Sequence, residues 1–444
     1  MIRHRGTRAR PAVAMLLVAV LIVAALAAGG ADAREAGRVE RERLPNGFRV
    51  IVRENPLAPV VAVSLLVAMG TRWERPETAG LSNFVHAVMV KGTRKRSGAA
   101  IAETIAALGG KMSASGDTDY SEIRGTALAR FWRDLLGLTA ELALEPKLAP
   151  DDVEDERRFI LSRVQRRRDN AASRAFDELY AALYGAHPYA LPTLGTPESL
   201  RRFDHAAVVA HYRAFYRPDR MVLAVSGQVS APEVLSEARR LFGGMPRHAA
   251  MTEPAIPAPA ASGRRVEVEQ PAQQTQILVG AIAPAMDHAD HAPVKVLATI
   301  LGGGMAGRLF VELRDKRGLA YTASAYYDPM REPGALILYL GTAPQNAARA
   351  EQALAAEIAR ITAERVGDEL ARAKGYLLGR YAMDRRTNER QAWYLAYYAL
   401  AGAGADFPER YRRAVENVTA ADVQRVAQRY LVRPTTLVLR PPRR

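Results

Sequence analysis

The 444-residue chain has 8 histidines and no cysteine, so metal binding and proton transfer must fall to imidazoles and carboxylates. No thiol nucleophile and no disulfide is available to it. The segment from Gly80 to Gly92 has the spacing best suited to chemistry. Its apolar residues Leu81, Phe84, Val85, Val88 and Met89 recur at the intervals of an amphipathic helix. Asn83, His86 and Ala87 share the opposite face, where three side chains could point together into a cleft. Their types do not make a metal site: asparagine is a weak zinc ligand, alanine is none, and a lone imidazole falls short of the three protein ligands a catalytic zinc takes. Taken alone, His86 reads as a partly exposed helix-face histidine. His288 and His291 imitate a metal cluster but precede an apolar helical pattern, and read as a solvated helix start. His187-Pro188-Tyr189 reads as structural. Gly302-Gly303-Gly304 lacks the Lys-Ser/Thr of a phosphate loop.

The run Gly80-Leu81-Ser82-Asn83-Phe84-Val85-His86-Ala87-Val88-Met89-Val90-Lys91-Gly92-Thr93 resembles the signature segment of the insulinase/pitrilysin metallopeptidases, which include the mitochondrial processing peptidases. Active members carry H-x-x-E-H there, two zinc ligands with a general-base glutamate between them, and a distal glutamate completes the site. On that resemblance Asn83 and Ala87 stand at the histidine positions, His86 at the general base and Arg163 at the distal ligand. Glu156 remains as a carboxylate behind the site. A permanent cation where a dication would sit implies repulsion, and Arg163 is expected to fill the empty position, facing Glu156 or nearby polar groups. The second half keeps its residues. Arg308-Leu309-Phe310-Val311-Glu312-Leu313-Arg314-Asp315-Lys316-Arg317-Gly318-Leu319-Ala320-Tyr321 is similar to the family's second-half signature, in which an Arg and a Tyr hold the substrate backbone and stabilise charge on its carbonyl oxygen. Those positions are Arg314 and Tyr321. From periodicity alone, the favoured reading is Tyr321 as a core strand aromatic and Arg314 as a surface arginine.

The elements that would position these groups occur twice. Val60 to Val67 is a valine-rich strand run, followed by the helix from Gly80 and a strand pattern from Lys111 to Leu128; Met221 to Val225 is a late strand. In the second half Thr275 to Ala283, a helix near Val294 to Leu301, and strands at Ala320 to Tyr327 and Thr435 to Leu439 follow the same order. This suggests a duplicated α+β unit. A Pro/Ala-rich linker, 245–263, separates a 34–244 domain with the degenerate zinc motif from a 264–444 domain with the Arg/Tyr pair. The expected fold is therefore α+β: two similar α/β-roll domains, each an antiparallel-rich sheet packed with helices, forming half of a clamshell.

Arg3, Arg5, Arg8 and Arg10, an apolar run from Ala12 to Ala28, and Ala31-Asp32-Ala33 make a secretory signal over 1–33, with cleavage expected after Ala33 and a retained anchor as the alternative. The expected location is periplasmic or secreted, with no membrane span after cleavage. The net charge of +15 is scattered without interleaved aromatics and reads as a solvated surface, not a nucleic-acid site. The resemblance then implies a chain inactive alone that binds no zinc, with zinc in a homologous partner subunit whose peptide substrate it helps to hold. The alternatives are a non-enzymic peptide-binding or scaffold protein of the same fold, and an autonomous zinc metallopeptidase.

Overall fold

The computed structural model describes residues 37–259 and 263–442; the signal segment expected at 1–33 lies outside them. Two sheets organise the chain. The first has the order β1-β2-β6-β3-β5-β4, from Val39–Arg43 (β1), Arg49–Glu54 (β2), Val60–Val67 (β3), Lys111–Gly116 (β4), Ser121–Leu128 (β5) and Met221–Gly227 (β6). The second has the order β7-β11-β8-β10-β9, from Arg265–Glu269 (β7), Thr275–Ile282 (β8), Thr322–Asp328 (β9), Ala335–Thr342 (β10) and Thr435–Arg440 (β11). With β1 set aside, the two orders superimpose strand for strand. Each also has one parallel pair, β2 with β6 and β7 with β11, followed by three antiparallel pairs. The duplication expected from the order of elements is present in the pairing itself.

The central strands are nearly continuous apolar runs, which is the pattern of a sheet covered on both faces. In β3, Val61, Val63, Leu65 and Val67 face the main core of the first half, while Ala62 and Leu66 face the other way. That second face is covered by a helix of the opposite half, Asn388–Leu400, whose Ala392 and Ala396 lie against Ile51, Leu66 and Val222. The exchange is reciprocal. The helix Ala171–Tyr184 of the first half sets Ala175, Leu179 and Leu183 against Leu278, Ile337 and Leu437 of the second sheet. A Cβ at Gly280 would sit 2.8 Å from Leu183 and 3.0 Å from Leu179, so the bare backbone of β8 is what admits those leucines.

No helix or strand occupies 245–259, yet this connection is tied down. The Glu253 carboxylate accepts hydrogen bonds from Arg72 at 2.5 Å, Trp73 at 2.9 Å and Arg220 at 3.3 Å. Arg72 also donates to Glu332 of the second half at 2.7 Å, so one buried guanidinium joins both halves and the segment between them. Among the described residues no helix is long and apolar enough to cross a membrane.

Candidate functional site

The signature helix, α1, spans Leu81–Met89. It begins at Gly80, which adopts φ 87°, and any Cβ there would meet the Gly195 backbone at 2.4 Å. Its first amides are taken by Glu74: the Gly80 and Ser82 N–H groups each donate to that buried carboxylate at 2.7 Å. Burial outweighs these donors and pushes the Glu74 pKa up to about 7. Leu81, Phe84, Val85, Val88 and Met89 enter the core, as their spacing requires.

The face bearing Asn83, His86 and Ala87 is less open than its periodicity suggests. Asn83 and Ala87 are half-buried, but His86 is fully enclosed, where the sequence favoured partial exposure. The cause lies in a contact distant in sequence: the Tyr216 hydroxyl donates to His86 Nε2 at 2.7 Å, while His86 Nδ1–H donates to the Ser82 carbonyl at 2.8 Å. Burial lowers the His86 pKa to about 4 and holds the Tyr216 hydroxyl well above its usual range. The imidazole is therefore neutral and the phenol is a donor at neutral pH, which fits this one tautomer. His211, its pKa lowered to about 3 mainly by burial, lies 3.1 Å from Ser82 Oγ. Asn83 Oδ1 accepts only a long 3.5 Å contact from the Gly116 N–H, and its Nδ2 is buried without a partner.

The distal positions also differ from expectation. Arg163, on the helix Pro150–Asp169 (α2), is exposed and forms no ion pair with any described carboxylate. It does not face Glu156, which is buried and pairs instead with Lys91 at 2.5 Å. A guanidinium that can stay in water keeps its hydration, and Lys91 is the nearer cation for the buried carboxylate. Among the described residues no group of three or more His, Asp or Glu side chains is placed to hold a metal ion. The donor set left at the signature positions is one amide, one imidazole with both nitrogens engaged, one methyl and one solvated guanidinium, and it does not fit zinc.

In the second half, Arg314 lies in a π-helical turn, Phe310–Asp315, a geometry often found at functional sites. Gly318, at φ 60°, closes it, and the Leu319 N–H donates back to the Leu313 carbonyl at 2.8 Å. Tyr321 precedes β9 and is 71% exposed, so it is no core aromatic. Its N–H donates to the Gly341 carbonyl at 2.9 Å, which fixes its backbone to β10. The Arg314 guanidinium lies 5.4 Å from the Tyr321 ring centroid and 4.7 Å from that of Phe310. The two side chains form a stacked, solvent-facing pair of donors.

Of the remaining histidine and aromatic groups, His291 departs from what its spacing implies, His187 agrees with it, and one aromatic cluster lies outside it. His291 is buried beside the Tyr327 hydroxyl at 3.2 Å, not solvated; burial lowers its pKa to about 3. His187 is buried and its Nδ1 accepts from the Tyr189 N–H at 3.1 Å, a structural role. The aromatic cluster around Trp393, Tyr394, Tyr397 and Tyr398 went unread, although its crowding on one short helix is a visible signal.

The buried imidazoles make stability pH-dependent with a definite sign. An imidazole whose folded pKa lies below its unfolded value binds more protons when unfolded, so its stability is complete above about pH 6.5 and is lost as pH falls toward 4. His86→Gln is expected to flatten urea-midpoint stability against pH between 6 and 4.5 by up to about 1.4 kcal/mol per pH unit relative to the parent chain. An unchanged slope would show that His86 titrates normally.

Comparison with known proteins places these features in a family. Residues 49–197 match the model described as insulinase, peptidase family M16, and residues 202–376 match the M16 inactive domain. The chain is 31% identical over 355 residues to an uncharacterized zinc protease of Mycobacterium leprae, covering 78% of this chain and 79% of that one. An uncharacterized zinc protease of Mycobacterium tuberculosis strain H37Rv is 29% identical over 409 residues, covering 91% and 93% respectively. In fold, the chain is similar to a peptidase M16 inactive domain from Pseudomonas fluorescens, with TM-score 0.84 at 23% identity over 92% of this chain and 99% of that one. It is likewise similar to a protease from Helicobacter pylori, with TM-score 0.85 at 20% identity over 91% and 100%. Its matched halves, paired sheets and signature segments agree: the chain belongs to the insulinase family of M16 peptidases.

Proposed function

We propose that this chain is the non-catalytic subunit of a heterodimeric periplasmic zinc peptidase, supplying Arg314 and Tyr321 to a homologous partner that carries the zinc. One asymmetry carries the reading. The Arg/Tyr pair is preassembled and open to solvent, whereas the imidazole at the general-base position has both nitrogens committed to protein groups. The chain itself holds no zinc in this reading, and its own half of the site serves packing. Substrate would be an extended peptide whose scissile bond lies at the partner's zinc and whose flanking residues add as a further strand to the outer edge of β4, which ends at Gly116 against α1. Arg314 and Tyr321 would then orient the peptide backbone and donate to the carbonyl oxygen as charge develops on it.

Mixing the purified chain with an H-x-x-E-H homologue from the same cell tests this directly. Peptide hydrolysis is expected from the mixture and not from this chain alone. The purified chain is also expected to carry far less than stoichiometric zinc by atomic absorption. Stoichiometric metal, or hydrolysis by this chain unaided, would overturn the assignment and favour an autonomous enzyme.

A further inference from the structure

A cavity of about 660 Å³, separate from the signature helix and from the Arg/Tyr pair, lies where the two halves meet. Its walls are mainly aromatic: Tyr120, Trp393, Tyr397, Tyr398, Phe407 and Tyr411 all line it. That size and lining are those of a site for a small molecule or a large side chain. Two pseudo-equivalent turns form its mouth. One is Asp117 to Tyr120, which follows β4; the other is Asp328 to Met330, at the end of β9. Strands β4 and β9 are outer strands of their sheets. A peptide paired along β4 and continued past Gly116 therefore runs into the cavity, at about 3.3 Å per residue.

Several polar groups of the wall are already partnered. The Trp393 indole N–H donates to the Tyr120 hydroxyl at 3.2 Å, and the Tyr381 and Tyr398 hydroxyls share a 3.0 Å hydrogen bond. Asp384 accepts from Tyr394 at 2.6 Å and from Arg390 at 2.7 Å, and Lys295 donates to the Tyr327 carbonyl at 2.6 Å. What remains for an occupant is mostly ring faces and edges, with the Tyr397 and Tyr411 hydroxyls, the Arg380 guanidinium, and the carboxylates of Asp117 and Asp328 at the exposed rim. Ring faces reward a flat apolar body.

We propose that this cavity is a specificity pocket for a large aromatic side chain of the bound peptide, beyond the end of the β4 edge. The proposal rests on the reading of β4 as the peptide edge. The test uses the full chain, fluorescence-anisotropy titration with extended peptides differing only in Phe, Lys or Ala at each position, and calorimetric titration with N-acetyltryptophanamide. At one position Phe is expected to bind about tenfold tighter than Ala, the effect of burying one large apolar side chain. That preference is expected to vanish in Leu377→Trp, which fills the cavity from its wall, and in Arg380→Trp, which fills it from an exposed position. Unfolding midpoints would confirm that each variant is folded. Equal binding of Phe and Ala peptides, or a preference for Lys, overturns the pocket while leaving the edge reading intact. Binding of N-acetyltryptophanamide that both variants abolish, with no peptide binding, supports the pocket and removes the edge reading. Absence of binding by every probe overturns both.

Discussion

Tyr321→Phe in this chain is expected to lower kcat of the assembled peptidase by about a hundredfold, the loss seen when one donor to a developing oxyanion is removed. The hydroxyl is the only atom deleted, and it belongs to a side chain 71% exposed, so stability should not move. Arg314→Ala should reduce kcat/KM by a similar factor and also raise KM, because the guanidinium orients the peptide before reaction as well as during it. Arg314→Lys should recover only part of the loss. A lysine keeps the charge but lacks the flat fork that stacks on both Phe310 and Tyr321. The measurement is steady-state hydrolysis by the mixture, with the partner held constant and circular dichroism as the control for folding. If kcat/KM is unchanged in both Tyr321→Phe and Arg314→Ala, this chain does not complete its partner's site.

The second large effect concerns the exchanged helices. Ala396 is fully buried between Asn388–Leu400 and the first sheet. Ala396→Asp would place a carboxylate against the apolar side chains of Ile51, Leu66 and Val222. An uncompensated buried charge costs several kcal/mol, against a total stability of about 5–15 kcal/mol, so the variant is expected not to fold. The milder Leu179→Ala, on the reciprocal helix, should cost about 2–5 kcal/mol in urea unfolding. It should still give one transition, because each half is covered by the other. An Ala396→Asp protein with an unchanged midpoint would show that this face is not packed as described.

Much of the fold was legible because it rests on local signals. The valine-rich runs became β3 and β6, and Leu81, Phe84 and Val85 marked the buried stripe of α1. The order of elements exposed the duplication, since a repeated unit repeats its hydrophobic period. The exchange of helices was not legible. Ala392 and Ala396 advertise a close-packed face, but no spacing says which sheet will meet it. The site divides in the same way. Arg314 and Tyr321 are close in sequence and came together as expected. His86 and Arg163 did not behave as their positions implied, because their surroundings are set elsewhere. Tyr216 closes over His86 from 130 residues away, and Lys91 takes Glu156 from the end of the neighbouring helix. Periodicity assigns a side chain to a face; only tertiary contact decides whether that face is wet.

The covering of each sheet by the other half's helix also has a consequence in time. All six strands of the first sheet have been synthesised once Gly227 is made, but one face stays bare until the chain reaches Leu400. At ordinary rates of synthesis that interval is roughly ten to thirty seconds. During it the first half lacks its second layer, and a stable native state must wait for nearly the whole polypeptide. Under the proposed periplasmic location, such late closure would delay premature folding before export without any separate inhibitor. Until then the valine-rich strands keep one apolar face uncovered, and that exposure belongs to the topology rather than to any single residue.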